Sequence, residues 1–545
     1  MKTARKIVIV GGVAGGASAA ARARRFDESA EIHLFERGPY ISFANCGLPY
    51  HIGGEIEDRS KLLIMTPDKM WARSRIHVHV DHEVLSIDRC GKTILVHRDD
   101  GSEGVFPYDK LILSQGAKPI VPPIPGAELP NVFTLRDVPD MDRIIAFVDA
   151  RQPRTAAVIG GGFIGLEMAE AFQRRGMHVT VIEKLPHILP LLDHDMALYL
   201  ENCVRGNDFD IVTNTEAKCF SPEGVALDDG AFVPADLILL SVGVRADVEL
   251  AKRAGLEIGV TGGVKVNARM ESTDPDIYAV GDAAETAHML TGARTRIPLA
   301  GPANRQGRIA GANAAGGHFL YPGALGTSIV RILHRTAGFS GLNTAQAAKA
   351  GFSFFSSVTV DPNHAGYYPG SSSMRIKIIA EDGTGRLLGA QVVGGDGVDK
   401  RTDVFATAIA GKMSVFDLES LDLAYAPPFG SANDPVNTAG FVASHILRGD
   451  FATISPEDWK PNGEFLLDVR ETNELGESGI LPNAMHIPLG ELRDRFSELP
   501  HDRRILVYCQ KGQRGYLAAC ALQGSGFKDV VNLRGGLAQA RLNGF

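Results

Sequence analysis

The chain has 545 residues, with 56 Lys and Arg against 64 Asp and Glu and a formal charge of −8. It therefore lacks the basic excess that nucleic-acid partners demand. Six cysteines in so long a chain make no disulfide framework and read as reduced thiols. No apolar run approaches the ~20 residues of a membrane span, and the N-terminal Met-Lys-Thr-Ala-Arg-Lys lacks a signal peptide's pattern. The reading is a cytoplasmic, multidomain α/β protein of roughly three to four domains, with neither membrane nor metal among its partners.

In chain order, a repeat comes first. A strand Lys6–Val10 runs into Gly11-Gly12-Val13-Ala14-Gly15-Gly16, an Ala/Arg-rich helix, and a strand ending at Glu36. Further along, a strand Thr155–Ile159 runs into Gly160-Gly161-Gly162-Phe163-Ile164-Gly165, a helix, and a strand ending at Glu183. Strand, glycine turn, helix and terminal acid make the dinucleotide-binding fingerprint in its required context. The glycines let backbone amides reach a pyrophosphate at a helix N-terminus, and Glu36 and Glu183 stand where a carboxylate would accept a ribose diol. The second copy holds all three glycines, Gly160, Gly162 and Gly165. In the first copy Val13 takes the middle place.

Between the copies stands Cys46, in Ser42-Phe43-Ala44-Asn45-Cys46-Gly47-Leu48-Pro49-Tyr50, and the next cysteine is Cys90. Such a thiol closes no local disulfide. It must bond to something brought from outside or become a sulfenic acid. It is expected at the start of a short helix, which would lower its pKa. Cys90, Cys203, Cys219 and Cys520 read as buried packing residues.

The segment Thr273-Asp274-Pro275-Asp276-Ile277-Tyr278-Ala279-Val280-Gly281-Asp282 resembles the second flavin signature of two-dinucleotide flavoproteins. Tyr108–Ala117 and Leu239–Arg245 resemble that group's crossovers between domains. The resemblance implies FAD on a domain made of 1–149 and 266–324, held by Gly11, Gly12, Ala14, Gly15, Glu36, Arg37, Asn45, Val84, Ser114, Gln115, Gly116, Asp282, Pro298, Leu299 and Ala300. It implies a nicotinamide nucleotide on 150–265, at Gly160, Gly162, Phe163, Ile164, Gly165, Glu183 and Gly243. A carboxylate at Glu183 favours NADH over NADPH; the neighbouring Lys184 softens that preference.

Ser-Phe-Ala-Asn-Cys, together with Pro298–Arg305, Tyr367-Tyr368-Pro369-Gly370 and Tyr425-Ala426-Pro427-Pro428-Phe429, makes the chain similar to the coenzyme A-disulfide reductases and NADH-dependent persulfide (polysulfide) reductases. These are single-cysteine pyridine nucleotide-disulfide oxidoreductases. The resemblance implies an α+β dimerisation domain over 325–448, a homodimer in which Tyr367 and Tyr425 reach the partner's flavin and cysteine, and coenzyme A held by Ser18, Arg22, Arg25, Ser42 and Asn45. Two basic residues expected for coenzyme A are absent, their places taken by Asn433 and Ser74.

The segment 455–545 resembles a rhodanese domain, an α/β unit in which Cys509-Gln510-Lys511-Gly512-Gln513-Arg514 is the active loop, between a strand and a helix Tyr516–Leu522. Backbone amides and Arg514 would stabilise a thiolate or persulfide at Cys509. Gly515 replaces the usual Ser or Thr, leaving one loop hydrogen bond unaccounted for. Two sulfur sites on one chain imply reductive cleavage of persulfide or polysulfide sulfur to sulfide, with coenzyme A disulfide as a second substrate. Two alternatives stay open: an NADH oxidase or peroxidase cycling through Cys46 sulfenic acid, and a sulfur carrier acting through Cys509.

Overall fold

The computed structural model describes residues 4–206 and 208–545. By compactness the chain divides into two units, 1–188 with 205–326, and 189–204 with 327–545.

The first unit is a duplication. One parallel sheet has the order Ile277–Ala279, Lys110–Leu113, Lys6–Val10, Glu31–Phe35, His77–His79. The other has the order Phe209–Val212, His178–Ile182, Thr155–Ile159, Leu237–Leu240, Val132–Phe133. In each, the strand entering the glycine turn is central and buried. That is why Ile7-Val8-Ile9-Val10 and Ala156-Ala157-Val158-Ile159 carry no polar residue. The two predicted crossovers run into a pair of strands at their C-terminal ends: Ala117–Pro119 runs antiparallel to Val244–Ala246.

Glycines set how closely the layers approach. A Cβ on Gly16 would lie 1.8 Å from the Gly11 carbonyl oxygen, and one on Gly165 would lie 2.0 Å from that of Gly160. The same contact thus locks each helix to its turn. The first helix, Ala14–Phe26, crosses the helix Ala300–Ala314 so closely that Cβ atoms on Gly307 and Gly311 would meet the carbonyl oxygens of Gly15 and Ala19, each at 2.2 Å.

The second unit holds an antiparallel sheet in the order Ser328–Ile332, Arg335–Gly341, Leu387–Gly394, Ser373–Glu381, Phe354–Pro362. It also holds a parallel sheet in the order Ala452–Ile454, Val530–Leu533, Ile505–Tyr508, Phe465–Asp468, Met485–His486. The segment 189–204 belongs here through a buried polar network. Lys377 Nζ lies 2.8 Å from Asp195 and 3.1 Å from Asp193, and Gln391 Nε2 donates to Asp193 at 2.9 Å. Among the described residues no helix is long and apolar enough to cross a membrane.

Candidate functional site

Both strand-end acids clasp their own glycine turns. Glu36 accepts from the Gly12 and Gly38 amides at 2.8 and 3.0 Å. Glu183 accepts from Gly161 and Leu185 at 2.7 and 2.8 Å. Each carboxylate is thereby fixed at the edge of its turn.

Beside the first turn lies a cavity of about 270 Å³. Of the residues expected at FAD, it is lined by Gly11, Ala14, Gly15, Glu36, Arg37, Asn45, Val84, Ser114, Gln115, Gly116 and Asp282, whereas Gly12, Pro298, Leu299 and Ala300 stand outside the lining. Sequence reasoning missed its other cations: Lys118, Arg136 and Arg253 also line it. Arg136 donates to the Gln115 carbonyl at 3.1 Å, and Lys118 and Arg37 reach Asp247 at 3.0 and 3.4 Å. Burial raises the Asp282 carboxyl above its usual range, opposed by Arg296 and Arg136. Glycine turn, diol-accepting acid and a rim of cations suit a dinucleotide with a pyrophosphate.

At the second turn Gly162 caps the helix Phe163–Arg174, and a Cβ there would meet nothing within 4 Å, leaving the turn open to a ligand. Ile164 is exposed beside it, and Gly243 holds a left-handed conformation at φ +106°. Lys184 is ion-paired with Glu216 at 2.7 Å, so its charge is committed away from Glu183.

Cys46 sits in a three-residue 3₁₀ turn, Asn45–Gly47, followed by the short helix Leu48–Ile52. The segment is tied to the first turn by Ser42, whose amide donates to the Gly12 carbonyl at 2.8 Å from a left-handed φ of +45°. The thiol opens to solvent, yet protein crowds its remaining sides. That desolvation lifts its pKa above the ordinary value, and the Glu167 and Asp282 carboxylates lift it further. The expected lowering is therefore reversed: so short a helix has little dipole to offer, and carboxylates face the sulfur. Glu167, another residue sequence reasoning missed, accepts from Tyr50 Oη at 3.1 Å.

Among the expected coenzyme A residues, Ser18 donates to Asn304 at 2.6 Å, and Arg25 turns back to the Ala21 carbonyl. The Arg22 guanidinium lies 5.9 and 5.6 Å from the rings of Phe26 and Phe319. In the second unit Tyr367 Oη and Tyr425 Oη lie 3.1 Å apart, both exposed beside an exposed Phe429.

Cys509 directly follows the strand Ile505–Tyr508 and is buried; the Gly512 amide donates to its sulfur at 3.1 Å. The following helix is Gln513–Gly524, which begins before the expected Tyr516 and takes in Arg514 and Gly515. Arg514 bonds the Cys509 side chain, as expected, and is oriented by a bidentate pair with Glu474 at 2.5 and 2.7 Å. This pairing pulls the Glu474 carboxyl down to about 2. Behind the loop Asp468 and Arg470 form a fully buried ion pair at 2.7 Å. Of the four cysteines expected to be buried, none is: Cys90 and Cys219 are exposed, and Cys203 and Cys520 are partly exposed. Cys90 lies in the turn after Asp88, and a β-bulge between Ala217 and Cys219 disturbs the strand Ala217–Ser221.

Duplicated dinucleotide folds and a thiol at the first of them define a nucleotide-dependent oxidoreductase, and the comparisons with known proteins specify it. Residues 5–307 match the family model described as pyridine nucleotide-disulphide oxidoreductase, 327–434 its dimerisation domain, and 455–541 the rhodanese-like domain. The chain belongs to the pyridine nucleotide-disulphide oxidoreductases and carries a rhodanese-like domain at its C-terminal end. That family uses FAD and NAD(P)H. The chain is 45% identical to the reduced Bacillus anthracis CoADR-RHD, over 99% of this chain and 98% of that one, with a TM-score of 0.96. It is 38% identical to an NAD-dependent persulfide reductase from A. fulgidus, over 98% and 99%, with a TM-score of 0.93. A CoA-dependent NAD(P)H sulfur oxidoreductase of Pyrococcus furiosus is 35% identical, over 82% of this chain and 99% of its own length.

Proposed function

We propose that this protein is an FAD-dependent, NADH-preferring persulfide reductase that cleaves coenzyme A persulfide or related sulfane sulfur to sulfide, and that it also reduces coenzyme A disulfide. One observation carries the reading: a solitary thiol, Cys46, stands by the first nucleotide turn of a chain that also cradles Cys509 in a rhodanese loop. Of the alternatives, an oxidase has no use for Cys509, and a pure sulfur carrier has no use for Cys46.

In this reading the Cys509 thiolate takes the outer sulfur of a donor persulfide, and the donor leaves as its thiol. The thiolate of coenzyme A then removes that sulfur as coenzyme A persulfide and restores Cys509. Cys46 attacks the carbon-bearing sulfur of this persulfide; the sulfur–sulfur bond breaks, hydrosulfide leaves, and a Cys46–coenzyme A disulfide remains. FAD, when bound, would supply the relay by which the two electrons and proton of a hydride from NADH, with one further proton from solvent, cleave that disulfide to two thiols. Arg37, Lys118 and Arg136 would hold the flavin nucleotide's pyrophosphate, and Glu36 and Asp282 its hydroxyls. Glu183, with Lys184 bound to Glu216, supports NADH. Arg22, Arg25, Ser18, Ser42 and Asn45 would take coenzyme A. The exposed Tyr367, Tyr425 and Phe429 support a homodimer that covers them, and sedimentation at the mass of one chain would refute it. Free cysteines throughout suit the cytoplasm.

The test is a Cys46→Ser variant followed anaerobically. NADH should still bleach the flavin, while turnover on coenzyme A persulfide falls roughly a thousandfold or more, as expected when an essential nucleophile is lost. Turnover that survives, or flavin that no longer bleaches, contradicts this division of labour.

A further inference from the structure

The active loop of the rhodanese-like domain lacks the hydroxyl that its sequence pattern calls for, because position 515 is glycine. The structure explains why no side chain stands there. A Cβ on Gly515 would lie 2.2 Å from Asn532 Oδ1, so the space is already filled from the neighbouring strand. Asn532 belongs to Val530–Leu533 and pairs in register with Val507, two residues before Cys509. Its side chain is buried, and its Nδ2 donates to the Gly512 carbonyl at 3.2 Å.

Gly512 matters because its own amide is the donor to Cys509 Sγ at 3.1 Å. It does so from a left-handed conformation, φ +103°, which an L side chain rarely adopts. Its carbonyl accepts from both Asn532 Nδ2 and the Tyr516 amide, the latter at 3.0 Å. The residue that aims an N–H at the sulfur is thus gripped from two sides. Asn532 Oδ1, by contrast, is buried without a partner. A buried amide with one half unsatisfied is uncommon and is accounted for here by what its other half does.

We infer that Asn532 is a positioning residue for the sulfur site at Cys509, and that Gly515 and Asn532 are one matched pair in which the amide replaces the missing hydroxyl. The inference rests on the reading that Cys509 accepts sulfur. Asn532 touches neither donor nor acceptor. It acts by holding Gly512 so that the amide meets the thiolate, and later the persulfide, at hydrogen-bonding distance.

The experiment compares the full-length wild-type protein with Asn532→Ala, Gly515→Ser and the double variant Gly515→Ser/Asn532→Ala. One readout is transfer of the outer sulfur of thiosulfate to Cys509, releasing sulfite, and then to cyanide, giving thiocyanate. The other is the pH profile of alkylation at Cys509, followed by mass spectrometry of its peptide. Asn532→Ala should slow transfer about 10–100-fold, the cost of mispositioning a site, and move the alkylation midpoint to higher pH. Gly515→Ser alone should be similarly impaired, and the double variant should recover most of both properties, since the hydroxyl then finds room. An unshifted alkylation profile in Asn532→Ala overturns the inference, as does a double variant no better than Asn532→Ala. If the wild type takes no sulfur from thiosulfate, the sulfur-acceptor reading fails, while the alkylation profiles still decide the role of Asn532.

Discussion

Cys46 is surrounded by acid rather than base. Its segment is pinned to the first glycine turn through Ser42, and Glu167 arrives from the second nucleotide-binding fold, held by Tyr50. Burial first, and the Glu167 and Asp282 carboxylates after it, keep the thiol protonated above its ordinary range. Replacing Glu167 with Gln removes one of the two carboxylates and leaves the packing in place. The alkylation rate of Cys46 should then rise at neutral pH as the thiol pKa falls; an unchanged profile would show that Glu167 takes no part in setting it. None of this was legible in the chain. The Ser-Phe-Ala-Asn-Cys segment marked the cysteine, but a carboxylate more than a hundred residues away leaves no local signal. Arg136 and Asn532 escaped because their partners, the carbonyls of Gln115 and Gly512, also lie outside any local motif that names them. Cys90 and Cys219 were misread because burial is decided by a turn and a bulge, not by residue type.

The elements were more legible than the side chains between them. Lys6–Val10 and Thr155–Ile159 stand where apolar runs meet glycine turns, since a strand buried on both faces must be apolar throughout. The helix after Cys509 begins at Gln513 and takes in Gly515, which packs against Asn532. Two elements carry predictions. In the rhodanese-like domain Arg470 and Asp468 are both fully buried, so Asp468→Ala should cost about 3–5 kcal/mol by stranding a buried charge. Denaturant unfolding measures it, and a loss below 1 kcal/mol would show that the carbonyls of Gly479 and Glu474, which Arg470 also reaches, suffice.

At the edge of the first sheet His33 stacks on His77 and His79, with ring centroids 4.7 and 5.3 Å apart. His82 lies 5.4 Å from His79 and lines the cavity. Around them stand Glu31, Lys6 and Arg24. Burial, then the charges of His33, His82 and His77, depress the His79 pKa from 6.5 to about 4. The unfolded chain therefore binds the proton more readily than the folded one, and stability conferred by the neutral ring is complete above pH 6.5 and lost as pH falls towards 4. Thermal unfolding across that window should show the loss, and His79→Phe, which keeps the stacking and removes the proton, should flatten it. An equally steep decline in that variant would place the acid sensitivity elsewhere.

Across the whole molecule, a duplicated nucleotide-binding unit is joined to a second unit that carries the rhodanese-like domain. Domain order, both glycine turns and the segments that carry Cys46 and Cys509 were visible in the chain, because each is a local pattern in a required context. Which sulfur compound the protein prefers is a property of the assembled molecule, and it decides the account. The measurement is anaerobic NADH oxidation by the purified protein with coenzyme A persulfide and, separately, coenzyme A disulfide, with released sulfide trapped and counted. Turnover should be faster on the persulfide, with one sulfide formed for each NADH consumed. Preference for the disulfide, with no sulfide released, would contradict it and leave Cys509 without a part in the reaction.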